Sequence, residues 1–218
     1  MGSLRRWQLE PTAPLSLQIA ADARLSSTDY ADDQTWELAL GTLDAPALVL
    51  QTQYGGRAGL VSLLPLWQHD GRMVYQAQAY AKPPLLTGFA PGYLRAQAAL
   101  TLQLTLQAEY WVMDSHAVGA RFTLTNDTPE PTTVRLDLFG HVGLNGKEQA
   151  INLLTTPEGV NAIHLGKIAN LRPVLLLDEA TITNADSPLA TPKIGRTVTI
   201  EGHKTAVFQW VHAGRPSV

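Results

Sequence analysis

The sequence predicts an all-β fold, a large two-sheet antiparallel β-sandwich, on three observations. Alternating apolar and polar residues recur along the chain, as in "AVGARFTLTN" and "TTVRLDLFGHVGL", and a period of two marks a half-buried strand. Turn signals such as Gly55-Gly56, Asp70-Gly71 and Pro157-Glu158-Gly159 separate these runs. Together they give roughly a dozen strand candidates at the ~8–12-residue spacing of sandwiches and barrels. Helical periodicity is nearly absent.

The elements follow in order. "PALVLQTQY" at 46–54 and "RAGLVSLLPLWQ" at 57–68 are strands joined by Gly55-Gly56, a pair that tolerates the positive φ of a tight turn. Asp70-Gly71 then marks a second hairpin leading into "MVYQAQAY". The stretch "KPPLLTGFAPGYL" at 82–94 holds three prolines and two glycines and reads as a structured loop carrying Phe89 and Tyr93. "LRAQAALTLQLTLQAEYWVM" reads as one long strand, with Leu100, Leu102, Leu104 and Leu106 on its buried face and "AVGARFTLTN" as its partner.

In "NDTPEP", Asn126 is expected to close the turn through its own side chain. After it, Val134, Leu136 and Leu138 alternate with Arg135, Asp137 and Phe139. Later strands are "QAINLLTTPEGVNAIHLG", "RPVLLLDEA" and "RTVTIEGHKTAVFQWVHAG", the last with Gly202-His203-Lys204 as a hairpin tip.

Composition bounds the rest. A chain of 218 residues, 45% hydrophobic and 16% charged, is read as one packed domain over residues 1–218. A net charge of −3 without a basic block argues against nucleic acid as a partner. The absence of cysteine excludes a disulfide frame and a thiolate nucleophile. Pro11, Glu10 and Pro14 break the N-terminal stretch, so no signal h-region forms. No apolar run reaches the ~18–20 residues of a membrane span. A cytoplasmic protein is expected. The ending "HAGRPSV" reads as the start of a linker, so the domain is expected to be the N-terminal part of a longer chain.

No residue earns a catalytic role. Asp29, Asp32, Asp33 and Glu37 cluster in "DYADDQTWEL", but adjacent strand side chains point to opposite faces, so a solvated turn is the better reading. Asp178 and Glu179 end the run "LLLDEA", where a plain strand exit explains them. His69, His116, His141, His164, His203 and His212 lack metal-binding spacing, and "YGGRAG" opens no helix that could cradle phosphate. No cofactor is called for. Sugars stack on aromatic rings, and most of the aromatics are expected in the core. Phe89 and Tyr93, on the proline-rich segment, are the candidate carbohydrate-binding residues.

The order "DARLSSTDYADDQTWEL", "PALVLQTQYGGRAG", "PPLLTGFAPGYLRAQ", "EYWVMDSHAVGARFTLTND", "TTVRLDLFGHV" and "VFQWVHAG" resembles the N-terminal β-domain of bacterial glycoside hydrolase-related proteins. That domain is a supersandwich, shared with galactose mutarotase and with maltose phosphorylases. The resemblance spans roughly residues 20–213, and its "N-D-T", Pro-containing turn and "TVRLDL" strand are similar to the fold's recurring hairpin. It implies an (α/α)6-barrel catalytic domain as partner, an oligo- or polysaccharide as ligand, and catalytic carboxylates that lie on the barrel rather than here. Mutarotases instead hold a His acid and a Glu base within the sandwich. No matching motif surrounds His141 and Glu148, or His164 and Glu158. The reading is therefore a non-catalytic domain that packs on a helical catalytic domain and shapes its saccharide cleft. An autonomous carbohydrate-binding module and a free-standing mutarotase-like enzyme stay open as alternatives.

Overall fold

The computed structural model describes residues 16–19, 36–52, 59–114, 116–144, 147–148, 152–156, 159–167, 170–183 and 193–216. Among them the chain forms two antiparallel sheets and a single 3-10 turn at Ala77–Ala79. The first sheet has the order β1 (Ser16–Ile19), β2 (Trp36–Ala39), β3 (Val49–Thr52), β4 (Gly59–His69), β10 (Thr132–Leu144), β16 (Lys193–Ile200) and β15 (Thr181–Thr183). The short strands β5 (Arg72–Val74) and β11 (Lys147–Glu148) pair with β4 and β10 and complete this nine-stranded sheet. The eight-stranded sheet runs β12 (Asn152–Thr155), β13 (Asn161–His164), β14 (Leu171–Leu177), β17 (Thr205–Pro216), β9 (Ala117–Asn126), β8 (Leu104–Asp114), β7 (Tyr93–Thr101) and β6 (Lys82–Ala90).

Period-two alternation puts one residue in two from each strand between the sheets. Val61, Leu63 and Trp67 of β4 and Val134, Leu136 and Leu138 of β10 face Leu104, Leu106 and Tyr110 of β8, Phe122 of β9, and Phe208 and Trp210 of β17. The rings of Trp67, Tyr110, Phe122, Phe208 and Trp210 form a connected cluster with centroids 5.5 to 6.0 Å apart, mostly edge to face. Such contacts add about 0.5–1.5 kcal/mol each beyond the area they bury. Trp67, from the nine-stranded sheet, touches Phe122 and Phe208 of the other and so rivets the two layers.

Among the described strands the chain changes sheet five times, and two of these crossings, from β9 to β10 and from β16 to β17, lie side by side. Asn126, buried at the β9–β10 crossing, joins it to the β16–β17 crossing. Its Nδ2 donates to the carbonyls of Glu130 (2.7 Å) and Ile200 (3.2 Å), and its Oδ1 accepts from the Thr128 N–H (3.0 Å) and hydroxyl (2.7 Å). Gly202 lies so close that a Cβ there would come within 1.9 Å of the Pro129 carbonyl oxygen. The side-chain closure expected of Asn126 is therefore present, and it reaches further than its own turn.

Most strand expectations hold. The Asp70-Gly71 hairpin has φ of 48° and 71°, as a type I′ turn requires, and Gly159 turns at φ 81° between β12 and β13. Gly55-Gly56 and the cluster Asp29, Asp32, Asp33 lie outside the described residues. Three readings need correction. Residues 82–94 form a β-hairpin rather than a loop. β6 is the edge strand of its sheet, where a missing N–H is tolerated, and its pairing with β7 shifts register between Lys82 and Leu85 and between Leu86 and Gly88. The long leucine strand is two strands, β7 and β8, with Leu102 at the tip and 81% exposed. Leu100 and Leu104 stay buried on either side of that tip, so the alternation continues through the turn and conceals it. Gly202-His203-Lys204 is a turn, with His203 at φ 56°, but β16 and β17 belong to different sheets and form no hairpin.

Denaturant unfolding tests these assignments. Leu104→Ala is expected to cost ~2–5 kcal/mol, whereas Leu102→Ala stays within ~0.5 kcal/mol of wild type; equal losses would contradict the tip. Asn126→Ala, which leaves buried backbone groups without partners, is expected to cost at least ~1–3 kcal/mol. An unchanged midpoint would mean that the crossings hold without it.

Candidate functional site

Directly opposed residues of an antiparallel pair share a face, so register assigns each side chain a side. On the outer face of the eight-stranded sheet, Tyr93 lies opposite Trp111, which lies opposite Gly119. The next outward row is Arg95, Glu109 and Arg121, and the one after it Gln97, Gln107 and Thr123. Gly119 makes room for the Trp111 indole, whose atoms would be 2.8 Å from a Cβ at that position. The Tyr93 hydroxyl donates to Glu109 Oε1 at 2.7 Å, and Arg121 grips Oε2 through Nε (2.9 Å) and Nη2 (2.7 Å). Arg95 bonds more loosely, at 3.3 Å to the Thr87 hydroxyl and 3.4 Å to its carbonyl.

These contacts set the charges. Burial works to raise the Glu109 carboxyl, but hydrogen bonds from Tyr93 and Arg121 and the Arg121 charge outweigh it and hold Glu109 below its ordinary value. Burial and then the Glu109 carboxylate push the Tyr93 hydroxyl up to about 12, against the opposing charges of Arg95 and Arg121. At neutral pH Tyr93 is a donor and Glu109 an ionised acceptor already engaged on both oxygens.

Of the two residues singled out as saccharide contacts, Tyr93 lies on this outer face. Phe89 pairs with Leu94, on the opposite side of the same ribbon, and packs half-buried against the core. The structure therefore does not bring the two rings into one platform. Tyr93 has Trp111 beside it instead.

The nine-stranded sheet has a different outer face. Asp137, fully buried, receives Arg135 Nε (2.8 Å), Gln68 Nε2 (2.8 Å) and Lys193 Nζ (3.2 Å). Gly195 faces it across the ladder, and a Cβ there would be 2.1 Å from Asp137 Oδ1. Beside this cluster lies an apolar groove of about 370 Å³, lined by Val49, Leu64, Leu66, Tyr75 and Phe139 with His141 at its side. The remaining candidates fall into structural roles. Arg196 pairs with Asp178 at 2.8 Å and with Glu179, and Asp178 accepts the Gln209 N–H at 2.8 Å, which makes "LLLDEA" a pinned strand exit. His212 lies in the core against Trp36, and burial pushes it down to about 3, against a hydrogen bond to the Val174 backbone, so it is neutral at physiological pH. His69 bonds the Thr132 hydroxyl at 2.8 Å. Glu158 lies outside the described residues, as does the side chain of Glu148.

No family model and no curated protein matches the chain. Solved structures do. A heparan sulfate lyase from Pedobacter heparinus superposes with a TM-score of 0.58 at 9% identity over 84% of this chain, which spans 33% of the lyase. A galactose mutarotase-like protein from Clostridium acetobutylicum matches over 98% of this chain and 99% of its own length, with a TM-score of 0.50 at 7% identity. The fold is the galactose mutarotase-like supersandwich.

Within this supersandwich the sequence reading overlooked Asp137, Glu109, Arg121 and the outward, half-buried setting of Trp111. A simple count does not find the Glu109–Arg121 pair: outward from the Asp114–Ala117 tip Glu109 would fall opposite Phe122, and the irregularity between Val112 and Asp114 shifts it to Arg121. Of the partners of Asp137, Arg135 is its local i−2 neighbour, whereas Gln68 and Lys193 come from β4 and β16, distant in sequence, and no local pattern reveals them.

Glu109 ionises more readily in the folded chain than in the unfolded one, where its value is near 4.5. It therefore stabilises the fold above that pH and ceases to do so as pH falls through its depressed folded value. Glu109→Gln is expected to melt below wild type at about pH 7, with the gap narrowing as the pH falls below the ordinary carboxylate range. A gap that stays constant into strong acid would refute the ion-pair account.

Proposed function

We propose that this supersandwich is a non-catalytic domain of a carbohydrate-active enzyme. It packs on a helical (α/α)6-barrel catalytic domain and shapes one wall of that domain's saccharide cleft. The observation that carries the reading is the state of two carboxylates, Asp137 on one outer face and Glu109 on the other. Asp137 is held by Arg135, Lys193 and Gln68, and Glu109 by Tyr93 and Arg121. A general acid or base must exchange its proton with substrate, and neither group has an oxygen open for that. The groove of Leu64, Leu66, Tyr75 and Phe139 offers apolar surface to the partner domain. The length ratio to the heparan sulfate lyase supports a place within a larger enzyme.

The end-to-end match to the mutarotase-like protein favours a second reading, a free-standing sugar epimerase. It needs a His and a carboxylate converging in one pocket. His141 borders the groove, yet the carboxylate on the same strand face, Asp137, is fully buried among cations.

The reading frame is expected to run on past codon 218 into a segment of helical periodicity. In the full-length protein, Phe139→Asp and Leu64→Asp should loosen the two domains, seen as new proteolytic cleavage between them and reduced saccharide turnover. A frame that stops at Val218, or catalysed anomer interconversion by the sandwich itself, would overturn the accessory-domain reading in favour of the free-standing one.

A further inference from the structure

We infer that the outer face of the eight-stranded sheet binds an acidic saccharide, a pyranose carrying a carboxylate or sulfate, on a platform of Tyr93, Trp111, Arg95 and Arg121. The inference rests on the carbohydrate reading above and adds to it a second saccharide contact, away from the cleft at the docking face, with the charge of its ligand. It uses the face opposite the apolar groove, so docking and binding do not compete.

Three rows build the platform. Tyr93 and Trp111 are cross-strand neighbours, and Gly119 beneath the indole removes the side chain that would otherwise lift it off the sheet. The Arg95–Glu109–Arg121 row lies two residues along the strands, a separation of about 7 Å at strand rise, comparable to the width of one sugar ring. A pyranose whose C–H face rests on the aromatic row therefore presents a ring substituent to the guanidinium row. Gln97, Gln107 and Thr123 form the third row, amides and a hydroxyl suited to sugar hydroxyls.

Charge decides the ligand class. The row holds two guanidinium groups against one carboxylate, and both oxygens of that carboxylate are engaged by Tyr93 and Arg121. Arg121 remains 46% exposed, and the bonds of Arg95 to Thr87, at 3.3 and 3.4 Å, are at the long end of hydrogen bonding. The row therefore offers net positive charge from planar donors that match a carboxylate or sulfate. Single-stranded nucleic acid would also use stacking and arginine, but it needs a basic groove tracking many phosphates, whereas the chain carries a net charge of −3.

The test is affinity electrophoresis of the full chain in gels containing polygalacturonate, heparin or neutral dextran, with a single-stranded oligonucleotide as competitor. Retardation is expected in the acidic gels and not in dextran, and it should weaken as salt rises. Trp111→Leu and Arg95→Gln should each weaken it about tenfold, with melting temperatures checked to confirm that each variant is folded. Neither residue belongs to the interior core cluster, so both variants are expected to fold. Equal retardation by dextran, retention of binding in both folded variants, or displacement by the oligonucleotide at lower concentration than by the acidic saccharide would overturn the inference. So would a lack of retardation in every gel, an outcome that leaves the accessory-domain reading standing because that depends on the other face and on the reading frame.

Discussion

The side chain of Asn126 is the constraint on which the sandwich depends. Two strands cross between sheets at one end of the molecule, and each crossing leaves backbone carbonyls away from any ladder. One buried amide meets both sets, with Nδ2 toward Glu130 and Ile200 and Oδ1 toward Thr128. Further backbone bonds, from Asn126 N–H to Lys204 and from His203 N–H to Thr128, lock the same corner at 2.9 Å. With the crossings fixed, β9 and β17 must face β10 and β16, and the parity of each strand is set. The aromatic cluster around Trp67 follows from that parity, since a slip of one residue would turn every ring outward.

The same parity sends Asp137 and Glu109 to the outer faces, where two solutions to one problem appear. A carboxylate set among packed side chains loses hydration and needs cations in return. Asp137 sits in the middle of its sheet, where its own strand supplies Arg135 and the strands on either side supply Gln68 and Lys193, while Gly195 yields the space. Breaking such a cluster by removing one partner costs ~3–5 kcal/mol in comparable cases. Glu109 sits nearer the sheet edge, between β7 and β9, and its arginine keeps nearly half of its side-chain surface in water. The first cluster is closed by its neighbours; the second keeps its arginine in contact with solvent.

Legibility in the sequence follows the same division between local and distant causes. The Asp70-Gly71 turn, the Asn126 turn and the β8–β9 hairpin were readable because the determining residues adjoin one another. The prolines of β6 misled because their tolerance depends on the strand being an edge, a property of sheet order rather than of the segment. Leu102 misled because apolar alternation persists through the β7–β8 tip. The β16–β17 turn carries ordinary turn residues, and nothing local states that the strands beyond it lie in different layers. At the candidate site Tyr93 was legible as an aromatic on unusual sequence. Phe89 was assigned with it only because both lay on a presumed loop, and the hairpin's own parity separates them.

This separation explains how one architecture can serve different ends. The interior demands only alternation, aromatic bulk and a pinned corner, which many sequences supply, so the supersandwich can be kept while identity falls very low. Outward residues answer to no such demand. An apolar groove on one sheet and an aromatic-cationic platform on the other are thus independent choices, and a change at Trp111 or Arg95 need not disturb the packing around Trp67. Both proposed surfaces of this chain are built from the alternate residues that the core leaves free, and it is in those positions that proteins sharing this fold are free to differ.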